Sequence, residues 1–207
     1  MNTIVVGFDG LVRAGKTTLI NKLAKHFNAP IIGEYKSYAT RNGTEFPPYP
    51  PVSREKAMEA SIFFTEIEKQ RIGDLDNFKS LNPQIILVDR TSLSCIAFDY
   101  SANHFTNFGT YDEAKKLWDD TKIIRPDLSF ILDVSQENLK HRMFLNNDNF
   151  PPHISDKDFN SHIVNLFNEE LKKNPNMVKI NANQKPEEVE ADVVNAIMEY
   201  INKNTTK

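Results

Sequence analysis

Gly10-Leu11-Val12-Arg13-Ala14-Gly15-Lys16-Thr17 decides the fold. It fits the GxxxxGK[ST] pattern, and its flanks give the match its weight. Thr3 to Phe8 is a β-branched apolar run before the loop, and Leu19, Ile20, Leu23, Ala24 and Phe27 follow it at helical spacing. Strand, glycine-bearing loop and helix in that order make a phosphate cradle. The glycines let the backbone curl so that its N–H groups and the helix N-terminus face an anion. Lys16 is expected to reach the outer phosphates of ATP and Thr17 to hold Mg²⁺, with Gly10, Arg13, Ala14, Gly15 and Thr18 completing the nucleotide site. Arg13 puts a cation where charge develops on a transferred phosphoryl group, as an arginine finger does; a solvated loop side chain is the alternative. From Asn146 to Ser155 there is no Lys or Arg, so a lid formed there brings no positive charge of its own.

Outward from the loop, strand and helix signals alternate. Ile31 and Ile32 form a short strand that delivers Glu34 to its carboxyl end. Tyr38 to Val52, with four prolines between Phe46 and Pro51, is expected to be a loop, read as a rigid connector near a substrate pocket rather than a polyproline ligand. Ser53 to Phe78 lacks proline and suggests one long helix. Gln84 to Val88 is a buried parallel strand ending at Asp89-Arg90, with helices expected around Leu93–Asn103 and Asp112–Ile123. A strand at Leu128–Asp133 and a helix from about Ser135 to Leu145 follow, Ser135 being its N-cap. A polar segment, a helix ending near Lys173, a strand at Met177–Ile180 and a helix from Pro186 to Asn202 close the chain. Such alternation implies an α/β fold, a parallel sheet with helices on both faces and ligands at the carboxyl ends of the strands. We expect one domain over residues 1–207, with a small lid at about 146–158.

A hydrophobic share of 40% beside 26% charge excludes disorder, and a net charge of -3 excludes the overall basic field a nucleic-acid binder uses. Cys95 is the single cysteine, so neither an intrachain disulfide nor a cysteine zinc cluster can form. His141 and His153 are too isolated to suggest a metal site, and Cys95, beside Ile96 in an apolar helix, reads as a buried thiol. No run of 18 apolar residues calls for a membrane span, and the first apolar run is too short for a signal peptide. The expected location is cytoplasmic. The expected partner is a small nucleotide or nucleoside acceptor, not nucleic acid or a membrane, and a homodimer is compatible with this.

Phe8-Asp9-Gly10, Arg13-Ala14-Gly15-Lys16-Thr17-Thr18, Val88-Asp89-Arg90-Thr91 with Ile96-Ala97-Phe98, Arg125-Pro126-Asp127-Leu128 and Leu132-Asp133-Val134-Ser135 together resemble the thymidylate kinases. Members with an arginine in the phosphate loop are most similar, and the deoxynucleoside kinases share the architecture. The resemblance implies a P-loop NTPase fold with five parallel strands and a mobile lid, ATP on the loop, Asp89 beside magnesium, and Arg90 on the acceptor or its phosphate. A carboxylate and a cation at the end of a buried strand fit the same place on physical grounds, a salt-bridged pair closing the strand being the structural alternative. Arg142, at the start of the lid, reaches the nucleotide or is a solvated helix-end cation.

Three positions depart from the family pattern. Val12 stands where an acidic residue directed at the sugar is usual. If Phe64 is the base-stacking aromatic of the long helix, Glu68 replaces the arginine that reads a thymine carbonyl, and a carboxylate suits an exocyclic amino group instead. Shifting the register to use Arg71 puts Ile67 at the stacking position. Thr91 replaces an aromatic, which is closer to the nucleoside kinases. Glu34 fits a general base for a nucleoside hydroxyl, whereas Lys36 and Arg41 fit a charged acceptor phosphate. The leading expectation is phosphoryl transfer to a nucleoside monophosphate. Phosphorylation of a nucleoside or other small alcohol is the second, and a nucleotide-hydrolysing switch the third.

Overall fold

In the computed structural model, which describes residues 3–205 apart from Asn149, strands and helices alternate along the chain. The ends of the expected 1–207 domain, and that residue of the expected lid, lie outside the described residues. The elements are β1 (Ile4–Gly10), α1 (Lys16–Phe27), β2 (Ile31–Ile32), α2 (Tyr35–Arg41), α3 (Arg54–Ser80), β3 (Ile85–Asp89), α4 (Ser92–Thr106), α5 (Tyr111–Asp120), β4 (Leu128–Asp133), α6 (Gln136–Leu145), α7 (Lys157–Lys173), β5 (Met177–Asn181) and α8 (Pro186–Thr205). A single 3₁₀ turn, Pro152–Ser155, separates α6 from α7.

The five strands pair in the order β2-β3-β1-β4-β5, every pair parallel. Side chains alternate across each strand, so the sheet feeds two cores. Val6, Phe8, Ile85 and Leu87 enter one, with Leu19, Ile20 and Leu23 of α1 and Val193 and Ile197 of α8. Val5, Ile86 and Val88 enter the other, with Phe64, Ile67 and Ile72 of α3 and Trp118 of α5. Both faces are thereby covered, as a parallel sheet requires. Phe8 pairs with Asp89 and Gly10 with Leu132, which brings the carboxyl ends of β1, β3 and β4 together.

Local signals set the helix starts. The Ser53 side chain accepts from Lys56 N, Thr91 from Leu93 N, Ser135 from Asn138 N and Asp156 from Phe159 N, each satisfying an otherwise free backbone donor at about 1 kcal/mol. Two boundaries differ from expectation: α5 stops at Asp120, short of Ile123, and residues 38–41 are helical, the end of α2, not loop. Tyr35, Tyr38 and Ala39, spaced i, i+3, i+4, bury one face of this short helix, a pattern masked by its polar neighbours and the following prolines. The Pro-rich stretch beyond is irregular, as expected.

Candidate active site

The phosphate loop leaves β1 through Gly10 at φ +142° and enters α1 through Gly15 at φ +99°, angles that exclude most side chains. A Cβ on Gly10 would stand 2.6 Å from the Leu132 carbonyl oxygen. Within this curl Lys16, only 5% exposed, donates to the carbonyls of Gly10 at 3.1 Å and Leu11 at 2.7 Å. Burial, and then the nearby Arg90 guanidinium, pull its ammonium down to about 7, against the opposing pull of Asp89, Glu34 and Asp9. An anion beside the ammonium would favour its charged form.

Thr17 donates from its hydroxyl to Asp89 Oδ2 at 2.8 Å, while Asp89 Oδ1 is buried with no hydrogen-bond partner. Burial raises the Asp89 pKa, opposed by Lys16 and Arg90. A hydroxyl beside an orphaned carboxylate oxygen fits Mg²⁺, which takes one or two protein oxygens and completes its shell with phosphates and water. Among the described residues no cluster of three or more His, Cys, Asp or Glu could hold a metal ion.

Arg13, itself at φ +65°, points toward the segment after α6, where its Nε and Nη2 donate to Asp148 and its guanidinium lies 5.5 Å from the Phe150 ring. Its side chain is 39% exposed and lines the cavity. Arg142 Nη1 donates to the Arg13 carbonyl at 3.2 Å and the Ala14 carbonyl at 3.0 Å, and Nη2 to the Ala182 carbonyl, so it buttresses the loop from the end of β5. It is neither a free solvated cation nor uncommitted.

Across from the loop, Arg90 follows β3 at φ +62° and donates to the Gly10 carbonyl at 3.2 Å, to Ser94 Oγ at 3.2 Å and to Glu34 Oε2 at 3.3 Å. Asp89 and Arg90 therefore turn to different partners instead of closing the strand as a pair. Asp9, which the sequence reading did not single out, is fully buried and fixes this corner. Its Oδ1 accepts from Thr91 N and Ser94 Oγ and its Oδ2 from Thr91 Oγ1. The signal was its place one residue before the loop.

One cavity of about 880 Å³ joins these groups. Its donor end lies on the loop beside Arg142, Ala182 and Gln184; its acceptor end holds Glu34, Lys36, Phe64, Arg90 and Asp99, walled by Phe46 to Tyr49 of the Pro-rich stretch. Arg41 is turned away, paired with Asp74 at 3.3 Å.

Glu68 and Arg71 need correction as base-reading residues. Both are fully buried behind Tyr35 and do not line the cavity. Arg71 Nη1 donates to Glu68 Oε2 at 2.7 Å, its Nε to the Gly33 carbonyl and its Nη2 to the carbonyls of Asp89 and Arg90. Tyr35 Oη and Ile124 N donate to the two Glu68 oxygens. These residues face the sheet one and two turns beyond Phe64, where no ligand reaches them. Two groups at the acceptor end, Tyr49 and Asp99, were missed; the cavity alone reveals them.

The thymidylate kinase family model matches residues 8–193. No curated protein sequence is similar enough to match. Among solved structures, the fold resembles thymidylate kinase from Candida albicans at 17% identity and TM-score 0.70, covering 99% of this chain and 93% of that one. It also resembles deoxyadenosine kinase from M. mycoides with bound dATP, at 15% identity and TM-score 0.70, covering 94% and 99%. Thymidylate kinase from Ehrlichia chaffeensis superposes at 19% identity and TM-score 0.65, covering 96% and 99%.

Proposed function

The chain belongs to the thymidylate kinase family and is a nucleotide kinase, and we propose that it transfers the γ-phosphoryl group of ATP to a nucleoside monophosphate. The observation that carries this reading is the cation arrangement in one cavity. Lys16 and Arg13 lie at the donor end, with Arg90 and Lys36 at the acceptor end. A monophosphate brings two negative charges to a second anion, and side chains able to meet both are present.

An acceptor phosphate oxygen attacks the γ-phosphorus in line; its bond forms as the bond to the β,γ-bridging oxygen breaks, and ADP leaves. Lys16 follows the phosphates of ATP from ground to transition state. Arg13 leaves Asp148 and meets charge on the transferred group. Arg90, held by Ser94 and Glu34, orients the acceptor phosphate. Thr17 and Asp89 would hold magnesium, which would neutralise phosphate charge. Residues 146–158 act as the lid of a single 1–207 domain, supplying Asp148 and Phe150 as partners for Arg13. In this reading the enzyme is cytoplasmic, acts on a small-molecule acceptor without membrane or nucleic-acid partners, and is compatible with a homodimer; among the described residues no helix is long and apolar enough to cross a membrane.

A second reading, nucleoside phosphorylation with Glu34 as general base, has one observation in its favour: the Glu34 side chain is 39% exposed at the acceptor end. Its ion pair with Arg90 argues instead for an orienting role. Nucleosides and their monophosphates assayed side by side with ATP decide between them. Turnover of monophosphates supports the first reading, and turnover of nucleosides alone overturns it.

A further inference from the structure

Asp99 lies on α4 five residues beyond Ser94, about 7.5 Å further along the helix axis from the Arg90 corner. Its Oδ2 accepts from Ser61 Oγ of α3 at 3.1 Å, and Ser61 is one turn before Phe64. The carboxylate thus sits beside the aromatic wall, at the end of the cavity away from the phosphate groups. Its neighbours Ser61 and Trp118 are uncharged. Facing the same space, the Tyr49 hydroxyl is buried with no hydrogen-bond partner. The buried indole N–H of Trp118 is directed at the same carboxylate, short of full hydrogen-bond geometry. A half-buried carboxylate without a cation, beside a buried hydroxyl without a partner, offers a ligand one acceptor and one donor to satisfy.

Phe64 lines this part of the cavity, within an aromatic cluster with Tyr35, Phe46 and Phe63. A nucleobase laid against it turns its polar edge toward Asp99 and Tyr49. Asp99 Oδ1 accepts an N–H; the Tyr49 O–H donates to an adjacent ring nitrogen or carbonyl. An exocyclic amino group projects its N–H clear of the ring. The imide N–H of thymine or uracil is flanked by two carbonyl oxygens, which repel an approaching carboxylate.

Resting on the kinase reading above, we propose that Asp99 and Tyr49 read the base edge of the acceptor and select a nucleobase carrying an exocyclic amino group. Glu68 was the residue expected to do this; the structure gives the position to a carboxylate on a different helix.

Acceptor pairs that differ in the amino group test the proposal: dCMP against dUMP, dAMP against dIMP, and dGMP against dIMP. Each is assayed at pH 8, where Asp99 is ionised, with saturating ATP, and also measured by calorimetric binding to the full chain. We expect at least one amino-bearing member to exceed its counterpart by about tenfold or more in kcat/KM, mainly through KM. Asp99→Asn should collapse or invert that ratio while leaving the KM for ATP unchanged, and Tyr49→Phe should shrink it. A preference for dTMP or dUMP, or an amine preference that survives Asp99→Asn, overturns the proposal. If only nucleosides are phosphorylated, the monophosphate reading fails, and the same ratio on deoxycytidine and deoxyuridine still decides the role of Asp99. If no acceptor turns over, the binding ratios decide it. Should Asp99→Asn fail to fold, Ser61→Ala, which releases Asp99 Oδ2, must alter the ratio.

Discussion

At the donor end of the cavity the cations are already satisfied by the protein, and the one orphaned atom there, Asp89 Oδ1, sits where magnesium fits. Lys16 bonds the carbonyls of its own loop, Thr17 bonds Asp89, Arg13 bonds Asp148 and Arg142 bonds three backbone carbonyls. At the acceptor end Asp99 has only neutral neighbours and Tyr49 Oη has no partner. A phosphate entering the first region exchanges one set of partners for another, so its geometry is built before ligand arrives. A ligand entering the second supplies partners that are missing, so selectivity concentrates there.

The donor region breaks hardest at Lys16. Lys16→Ala should lower kcat/KM for ATP by at least roughly 10³-fold, in binding and turnover together, because the ammonium meets phosphate in both states. Its pKa of about 7 in the free protein adds a sign that can be checked. Above that pH the lysine is largely neutral before binding and charged afterwards, so ATP binding should take up protons at pH 8 but hardly at pH 6. Calorimetry in buffers of different ionisation enthalpy measures the uptake. Equal uptake at both pH values would mean the lysine is already charged in the free protein.

Arg13 sharpens the comparison, being the donor-side cation that must change partner. Arg13→Ala should lower kcat by roughly 10³-fold, the lower end for an arginine finger, with little change in KM for ATP. Asp148→Asn, which only frees the guanidinium, should move kcat much less. Steady-state kinetics separate the two, and equal losses would show that Arg13 serves by holding the lid.

These differences explain what the sequence disclosed. The donor end is compressed into eight contiguous residues whose geometry follows from glycine positions and flanking periodicity, so its chemistry is legible at once. The sheet is equally legible, because Ile85–Val88, Phe130–Leu132 and Ile31–Ile32 are unbroken apolar runs. The acceptor end is assembled from β2, the Pro-rich segment, α3, β3 and α4. Phe64, Glu68 and Arg71 share one face of α3 at i, i+4 and i+7, but spacing cannot say how far along it the cavity reaches: Phe64 lines it, while Tyr35 covers Glu68 and Arg71 on the turns beyond. Asp99, by sequence an ordinary helix-surface carboxylate, meets Ser61 only because α4 crosses α3.

The buried pair gives a third test. Removing one partner of a buried ion pair strands the other, so Arg71→Ala should cost about 3 kcal/mol of stability in urea denaturation. Because neither Arg71 nor Glu68 lines the cavity, the folded fraction should keep its ranking of acceptors. A changed ranking would return these residues to base reading.

The smallest effect, about 1 kcal/mol, belongs to Asp99→Asn as a stability variant. Burial raises the Asp99 pKa from the usual 3.8 to about 7, so between those values the folded chain holds a proton that the unfolded chain has released. Stability from this residue is therefore lost as pH rises through that window and levels off above about 7. The groups around it do not titrate there: Ser61 and Trp118 are neutral, and burial pushes Cys95 and Tyr49 well above their usual ranges and Tyr111 up to about 12. Asparagine keeps an acceptor for Ser61 and cannot ionise. Its advantage should be negligible near pH 4 and grow to its full size by pH 8. The cavity admits water to the carboxylate, which holds the effect below the several kcal/mol that the whole shift would imply. Urea midpoints of both proteins at pH 5 and pH 8 measure the difference. An advantage of equal size at both values would show that Asp99 is ionised throughout and already solvated, and the acceptor end would then be as self-satisfied as the donor end.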